Sequence, residues 1–458
     1  MLKQIQHVIR QLFEFVNKGK NPYFFSIGLI VVGSFAVYSS PQSIPGFLLF
    51  LFAASSIYWL KMNRAIQLAL AVFVAIILIP ILGARNVFYL EVIFQIAVFS
   101  ALALGLNIVV GFSGLLNFGY MAFYAVGAYL WGFFGSQQPY LLHSTVTTVT
   151  KGVPFFMAPD WWYLFIFIGV IIAAIAGLVL GLPVLRVRGD YLAIITLAFG
   201  ETIRQLANNL DKPWNFTNGP QGITPIQRPT MPDGILRGFN NIFGGIVGHP
   251  ITVNQAYNIL FYIVALLVVI SVIIVTYRLD DSKVGRAWTA VREDELSAGA
   301  MGINANKLKL GAFFVGASFA GAMGVLFAAS RTFVSPETFT FLQSVGVLTM
   351  VILGGLGSIT GVIVGATLVT LLNIQVLQSF SLYLGQLRQS DAAFLGFHWK
   401  NLSNQIDPAK YQRLIFGIIL VIMMIYRPSG ILPAARRQRE LKGAGEGEGD
   451  EAKGAERG

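Results

Sequence analysis

Apolar runs of membrane-spanning length recur along almost the whole chain, and they limit its fold more than any other feature. A helix that crosses a bilayer needs roughly 20 mostly apolar residues, and its backbone polar groups must all be paired within protein. Windows of that kind fall near 23–40, 44–60, 65–83, 88–111, 115–134, 163–185, 190–207, 259–277, 310–330, 341–356, 359–378 and 412–426. The reading is all-α: a polytopic transmembrane helix bundle of about 12 spans. Composition agrees, with 55% of residues hydrophobic and 12% charged, against roughly 25% charged in soluble domains. Many of the 48 glycines sit inside the apolar runs, where they let helices approach closely.

Lys and Arg loops set the orientation, since cytoplasmic loops carry the excess of both. With the N-terminus inside, the inner segments hold 21 Lys and Arg and the outer loops 9, counted from the sequence. Both termini are therefore expected in the cytoplasm. The first apolar run follows basic residues as a signal peptide would, but no small-x-small cleavage site follows it cleanly. The tail from Gly443 to Gly458 alternates glycine with acids and is expected to be disordered. These features divide the chain into 1–84 (an N-terminal cytoplasmic tail plus three extra transmembrane helices), 85–433 (a core) and 434–458 (a disordered cytoplasmic tail).

Several chemistries are excluded or disfavoured. Net charge is +11, yet the basic residues form no dense patch interleaved with aromatics, so no nucleic acid is expected. There are no cysteines, and His7, His143, His249 and His398 are far apart; neither thiol chemistry nor a metal site is expected. No G-x-x-x-x-G-K-[ST] phosphate loop occurs. The chain is thus read as a non-enzyme that binds no cofactor of its own.

One cytoplasmic loop, 278–309, is long. Its sequence SKVGRAWTAVREDELSAGAMGIN is helical in pattern, with Asp281 or Ser282 as N-cap and Gly302 as terminator. Val284, Trp288, Val291 and Ala298 make one narrow apolar stripe, while Arg286, Arg292, Glu293, Asp294 and Glu295 mostly point elsewhere. Such a helix either rests on the bilayer and its own bundle or docks in a groove on a partner. The mixed-sign Arg-Glu-Asp-Glu run favours a protein partner.

The loop resembles the coupling segment of ATP-binding-cassette (ABC) importer permeases. More closely, the chain resembles the LivM-type family of branched-chain amino-acid permeases. Six stretches carry the likeness: GLNIVVGFSGLLNFGYMAFYAVGAYL (Gly105–Leu130), GLPVLRVRGDYLAIITLAFGETIRQL (Gly181–Leu206), TNGPQGI (Thr217–Ile223), GRAWTAVREDELSAGAMGI (Gly285–Ile303), FVSPETFTF (Phe333–Phe341) and VILGGLGSITG (Val351–Gly361). Segment 378–410 matches no motif. The resemblance implies a multi-pass permease of the bacterial inner membrane that moves branched-chain or other neutral amino acids. It also implies a second related permease, cytoplasmic ATPase subunits that use the ATP, and an external solute-binding protein, all within membrane lipid. On the coupling segment it points to Gly285, Arg286, Ala290, Arg292, Glu293, Asp294 and Gly302.

Polar residues inside spans are functional candidates. Asn107, Ser113, Asn117 and Thr196 lie beside glycines, serving either inter-helix hydrogen bonds or a translocation path. Glu201 and Arg204, at i and i+3, pair with each other or line an external mouth, and Asp190 is read as a helix cap. Gly111-Phe-Ser-Gly114 and Gly354-Gly355-Leu-Gly357 each interrupt a long apolar run. Broken helices can present backbone groups to a solute; otherwise both are turns between spans. The alternative from another class is an ion-gradient-driven secondary transporter, which would be expected to show a mid-membrane carboxylate. Glu91 and Glu201 both lie toward span ends. A membrane enzyme would be expected to display His, Asp or Glu clusters at the membrane interface, and none is visible there.

Overall fold

The computed structural model describes residues 21–39, 44–60, 62–142, 154–185, 187, 190–244, 251–377, 411–427 and 430–432, with isolated residues between 381 and 398. Both termini, and most of 378–410, lie outside the described residues. Helices α1 (Asn21–Ser39), α2 (Ile44–Trp59), α3 (Arg64–Phe73) and α4 (Ile79–Arg85) come first, with a π-turn, Val74–Leu78, joining the last two. There follow α5 (Val87–Asn107), extended by the π-turn Ile108–Phe112, α6 (Met121–Phe134), α7 (Trp161–Val184) and α8 (Asp190–Asn209). Next come α9 (Asp233–Phe239), α10 (Val253–Asp280), α11 (Lys283–Glu293), α12 (Glu295–Ala300) and α13 (Ala305–Arg331). The last are α14 (Phe341–Gly354), α15 (Ile359–Leu371) and α16 (Gln412–Tyr426). The only strands among the described residues are the two-residue pair β1 (Ala393–Phe394) and β2 (Phe397–His398).

A helix lies in each of the twelve windows read from the sequence. Among the described residues, six stretches are long and apolar enough to cross a membrane: Asn21–Ser39, Ala65–Arg85, Val87–Phe112, Trp161–Val184, Val253–Asp280 and Ala305–Arg331. Shorter apolar helices include Met121–Phe134, Phe341–Gly354 and Ile359–Ile374. Their outer faces carry bare large apolar side chains, such as Phe24, Phe35, Phe167, Ile171 and Leu267. Surfaces of that kind suit lipid and not water.

The chain forms two compact units, residues 1–94 with 231–264 and residues 95–230 with 265–458. In the first, Ser26 and Ser56 hydroxyls meet at 3.1 Å, and Gly33 lies so near the Phe50 backbone that a Cβ there would sit 2.8 Å from its Cα. Phe47 stacks on Tyr89 at 4.2 Å between centroids. The Arg85 guanidinium lies over the Tyr38 ring and donates to the Tyr38 carbonyl at 2.8 Å. Gln255 and Tyr262 tie the 251–264 segment to the Ala84 and Ala75 carbonyls at 2.8 and 2.9 Å.

The second unit is organised around α13, which packs on α7 and α6 through small residues. At Gly127, Gly321 and Gly324 a Cβ would run into a facing backbone carbonyl, and at Gly177 it would sit 2.6 Å from the Phe313 carbonyl. Close backbone approach of this kind supplies the van der Waals contact that holds helices together in lipid, where apolar burial gives little drive. Two of the sequence stretches also meet away from the helices. Ile223 and Val334 exchange backbone hydrogen bonds of 2.9 and 3.2 Å, linking 217–223 to 333–341.

Candidate functional site

The fifth apolar window was expected to be helical from about residue 115, but the helix begins only at Met121. α5 ends in the π-turn Ile108–Phe112, and residues 114–119 run without regular structure, with Leu115, Asn117 and Gly119 buried and Gly114 and Leu116 exposed. A buried irregular stretch is tolerable only if its backbone is satisfied otherwise. Side chains do much of this. Phe118 N–H donates to Thr196 Oγ1 at 3.1 Å, Gly119 N–H to Asn117 Oδ1 at 3.0 Å, and Met121 N–H to Ser344 Oγ at 3.1 Å. Leu115 N–H turns back to the Val109 carbonyl at 3.0 Å. The sequence marks this break only by glycine spacing, because its support comes from α8 and α14, remote in the chain.

Four of the five candidate path residues gather here. Asn107, Ser113, Asn117 and Thr196 are all buried. Asn107 Oδ1 accepts the Gly357 N–H at 2.9 Å, and Ser113 Oγ donates to the Val109 carbonyl at 2.6 Å. The amide nitrogens of Asn107 and Asn117 are buried and find no acceptor among the described residues. Each such donor costs about 1–3 kcal/mol if left unpaired. The fifth candidate, Glu201, stands apart. Arg204 Nε donates to it at 2.7 Å and Arg204 Nη1 to Glu337 at 3.1 Å, all three partly exposed. Glu337 belongs to the 333–341 stretch and could not be paired with Arg204 from sequence spacing. The Asp190 side chain lies outside the described residues.

The long loop is two helices, not one. Ser282 caps α11, accepting the Gly285 N–H at 3.1 Å. Asp294 then breaks the helix and caps α12, accepting the Leu296 and Ser297 N–H groups at 2.8 and 3.1 Å and the Ser297 hydroxyl at 2.7 Å. These bonds, those from Ser297 foremost, hold its carboxyl below the ordinary value of 3.8. An aspartate satisfies α12 better as its cap than inside one continuous helix. Past α12, Gly302 takes φ +82°, a conformation glycine adopts without strain. Of the apolar stripe, Trp288, Val291 and Ala298 are buried, but Val284 is exposed. Trp288 Nε1 donates to the Leu308 carbonyl at 2.7 Å. Gly285 packs against the Leu279 and Asp280 carbonyls with no room for a Cβ.

The named coupling residues divide between two faces. Arg286, Glu293, Asp294 and Gly302 are exposed and Ala290 half-buried. Beside them Leu296 is 72% exposed and Met301 83%, so the outer face is partly apolar. Arg292 turns inward instead, and its Nη1 donates to the Gly111 carbonyl at 2.6 Å. Next to it the buried Lys309 pairs with Glu295 at 2.8 Å. A cavity of ≈ 290 Å³ lies here, lined by Ser113, Gly114, Arg292, Glu295 and Lys309 among others. The Lys309–Glu295 pair was not legible in the sequence, where Lys309 reads as an ordinary basic residue at the inner end of a span. No group of three or more His, Asp or Glu that could hold a metal occurs among the described residues.

The family model described as branched-chain amino acid transport system / permease component matches residues 88–424. The LivM high-affinity branched-chain amino acid transport permease of Salmonella typhimurium is 37% identical over 366 residues, 78% of this chain and 72% of the relative. LivM of Escherichia coli K12 is 38% identical over 363 residues, covering 77% and 72%. LivH of the same strain, also a branched-chain amino acid transport permease, is 21% identical over 340 residues, covering 73% and 91%. No solved structure matches the chain.

Proposed function

The chain belongs to the branched-chain amino acid transport permease family, and from that membership we propose that it is one permease subunit of an ATP-driven importer of branched-chain or other neutral amino acids. Family membership carries this reading, and the apolar helices agree with a multi-pass protein of the plasma (inner) membrane. With no phosphate loop in its sequence, the chain relies on a separate ATPase docking inside. Likeness to both LivM and LivH supports a second, related permease as the other half of the pore. A solute-binding protein delivers substrate outside.

Transport proceeds by alternating access. ATP binding moves α11 and α12 and biases the bundle outward, the loaded binding protein favours the same state, and hydrolysis restores the inward form. The exposed face bearing Arg286, Glu293, Leu296 and Met301 is the docking surface for the ATPase. The break at residues 111–120, with the orphan buried amide donors of Asn107 and Asn117, lies on the substrate path. No residue performs covalent chemistry.

The test is to express the chain with its genomic neighbours and purify it. An ATPase should copurify, and its hydrolysis should rise when the binding protein carries amino acid. Purification without an ATPase, together with uptake that follows an ion gradient, would overturn the reading.

A further inference from the structure

The two glycine breaks, separate in sequence, are one structure. Asn107 Oδ1 holds the Gly357 N–H, and a Cβ on Gly111 would lie 2.6 Å from the Gly357 nitrogen. The second break is fixed from its other side, where Ile431 and Leu432 N–H donate to the Leu353 and Gly354 carbonyls at 2.9 and 3.1 Å. One side chain from the cytoplasmic segment enters this junction. Arg292 Nη1 donates to the Gly111 carbonyl, and its methylenes lie against Gly114, which has φ +71° and no space for a Cβ.

That carbonyl is available because of how α5 ends. Carbonyls in the last turn of a helix lack intrahelical partners, and here Leu115 N–H bonds Val109 and not Gly111. A guanidinium there makes a charge-assisted bond, roughly twice as strong as a neutral one, and meets the negative end of the helix dipole. At its own end Arg292 is firmly mounted. It sits in the last turn of α11, which Trp288 anchors to Leu308, while the Glu295–Lys309 pair ties the start of α12 to α13. Any displacement of α11 therefore moves the guanidinium relative to Gly111.

We infer that Arg292 is a positioning residue, a latch by which the cytoplasmic segment clamps the paired helix breaks shut and releases them when it moves. The inference rests on the importer reading. It also moves Arg292 from the ATPase-facing surface to an internal linkage, and so separates it from its neighbour Glu293.

The test uses the full complex in vesicles. In Arg292→Gln the ATPase should still copurify, while amino acid imported per ATP hydrolysed falls on the order of tenfold, as expected for one lost charge-assisted hydrogen bond. Amides of 108–118 should exchange hydrogen faster without nucleotide. Arg292→Lys, which keeps a donor and its charge, should restore much of both, and Gly114→Val should reproduce the defect from the opposite side. Wild-type coupling and exchange in Arg292→Gln would overturn the latch, and so would loss of the ATPase, which would make Arg292 a docking contact. A wild-type complex unresponsive to loaded binding protein would instead overturn the importer reading and the latch with it.

Discussion

Asp294 concentrates several functions in one carboxylate. It ends α11, starts α12 and is held ionised by the Ser297 and Leu296 donors. Its folded value lies below 3.8, so the stabilisation is complete above that pH and lost as pH falls through the lowered folded value. Amide protection of residues 295–301 should therefore be flat near neutrality and decline only in acid. Asp294→Asn, an equally good cap, should keep the protection and lose the acid dependence, whereas Asp294→Ala should lose protection at every pH. Lys309 gives a second expectation. Removing it strands Glu295, which stays about one-third exposed, with a side-chain exposure of 31%, so Lys309→Met should destabilise by only about 1–2 kcal/mol, below the cost of stranding a fully buried charge. Adding Glu295→Gln should recover part of that loss, as a double-mutant cycle by thermal unfolding in detergent would measure.

At the scale of elements, Trp288 is the largest side chain that α11 buries. Trp288 is fully buried and bonds the Leu308 carbonyl, so Trp288→Ala should cost about 3–5 kcal/mol and free the segment from the bundle. The expected outcome is a lowered Tm, with the ATPase lost on purification. For α13 the requirement is small size. Gly321→Val drives two methyls into α7 at Gly169 and Ala173 and should cost about 1–3 kcal/mol or more, visible as loss of the monodisperse peak in size exclusion. The positions of the helices were legible because hydropathy in lipid is a local signal. The cap at Ser282 and the stop at Gly302 were legible for the same reason. The break at 114–120, the split at Asp294 and the inward turn of Arg292 were not. The break and the inward turn are decided by partners dozens to hundreds of residues away, such as Thr196, Ser344 and Gly111, whereas the split is local, set by Asp294 accepting the Leu296 and Ser297 N–H groups in a stretch whose pattern reads as one helix.

For the whole molecule, the natural absence of cysteine permits a direct test of orientation. With both termini inside, a single Met301→Cys, at a highly exposed site, should react with an impermeant maleimide only from the cytoplasmic side. Lys212→Cys should react only from outside, and the reverse pattern would invert the assigned topology. The link between Arg292 and Gly111 has a different kind of consequence, for genetics. Its acceptor is a main-chain oxygen, present whatever residue occupies position 111, and that position admits nothing larger than glycine. Loss of this bond therefore has no compensating substitution at position 111. Suppressors selected against such a defect should fall at other sites that brace the junction, and a search for paired sequence changes would pass over this contact altogether.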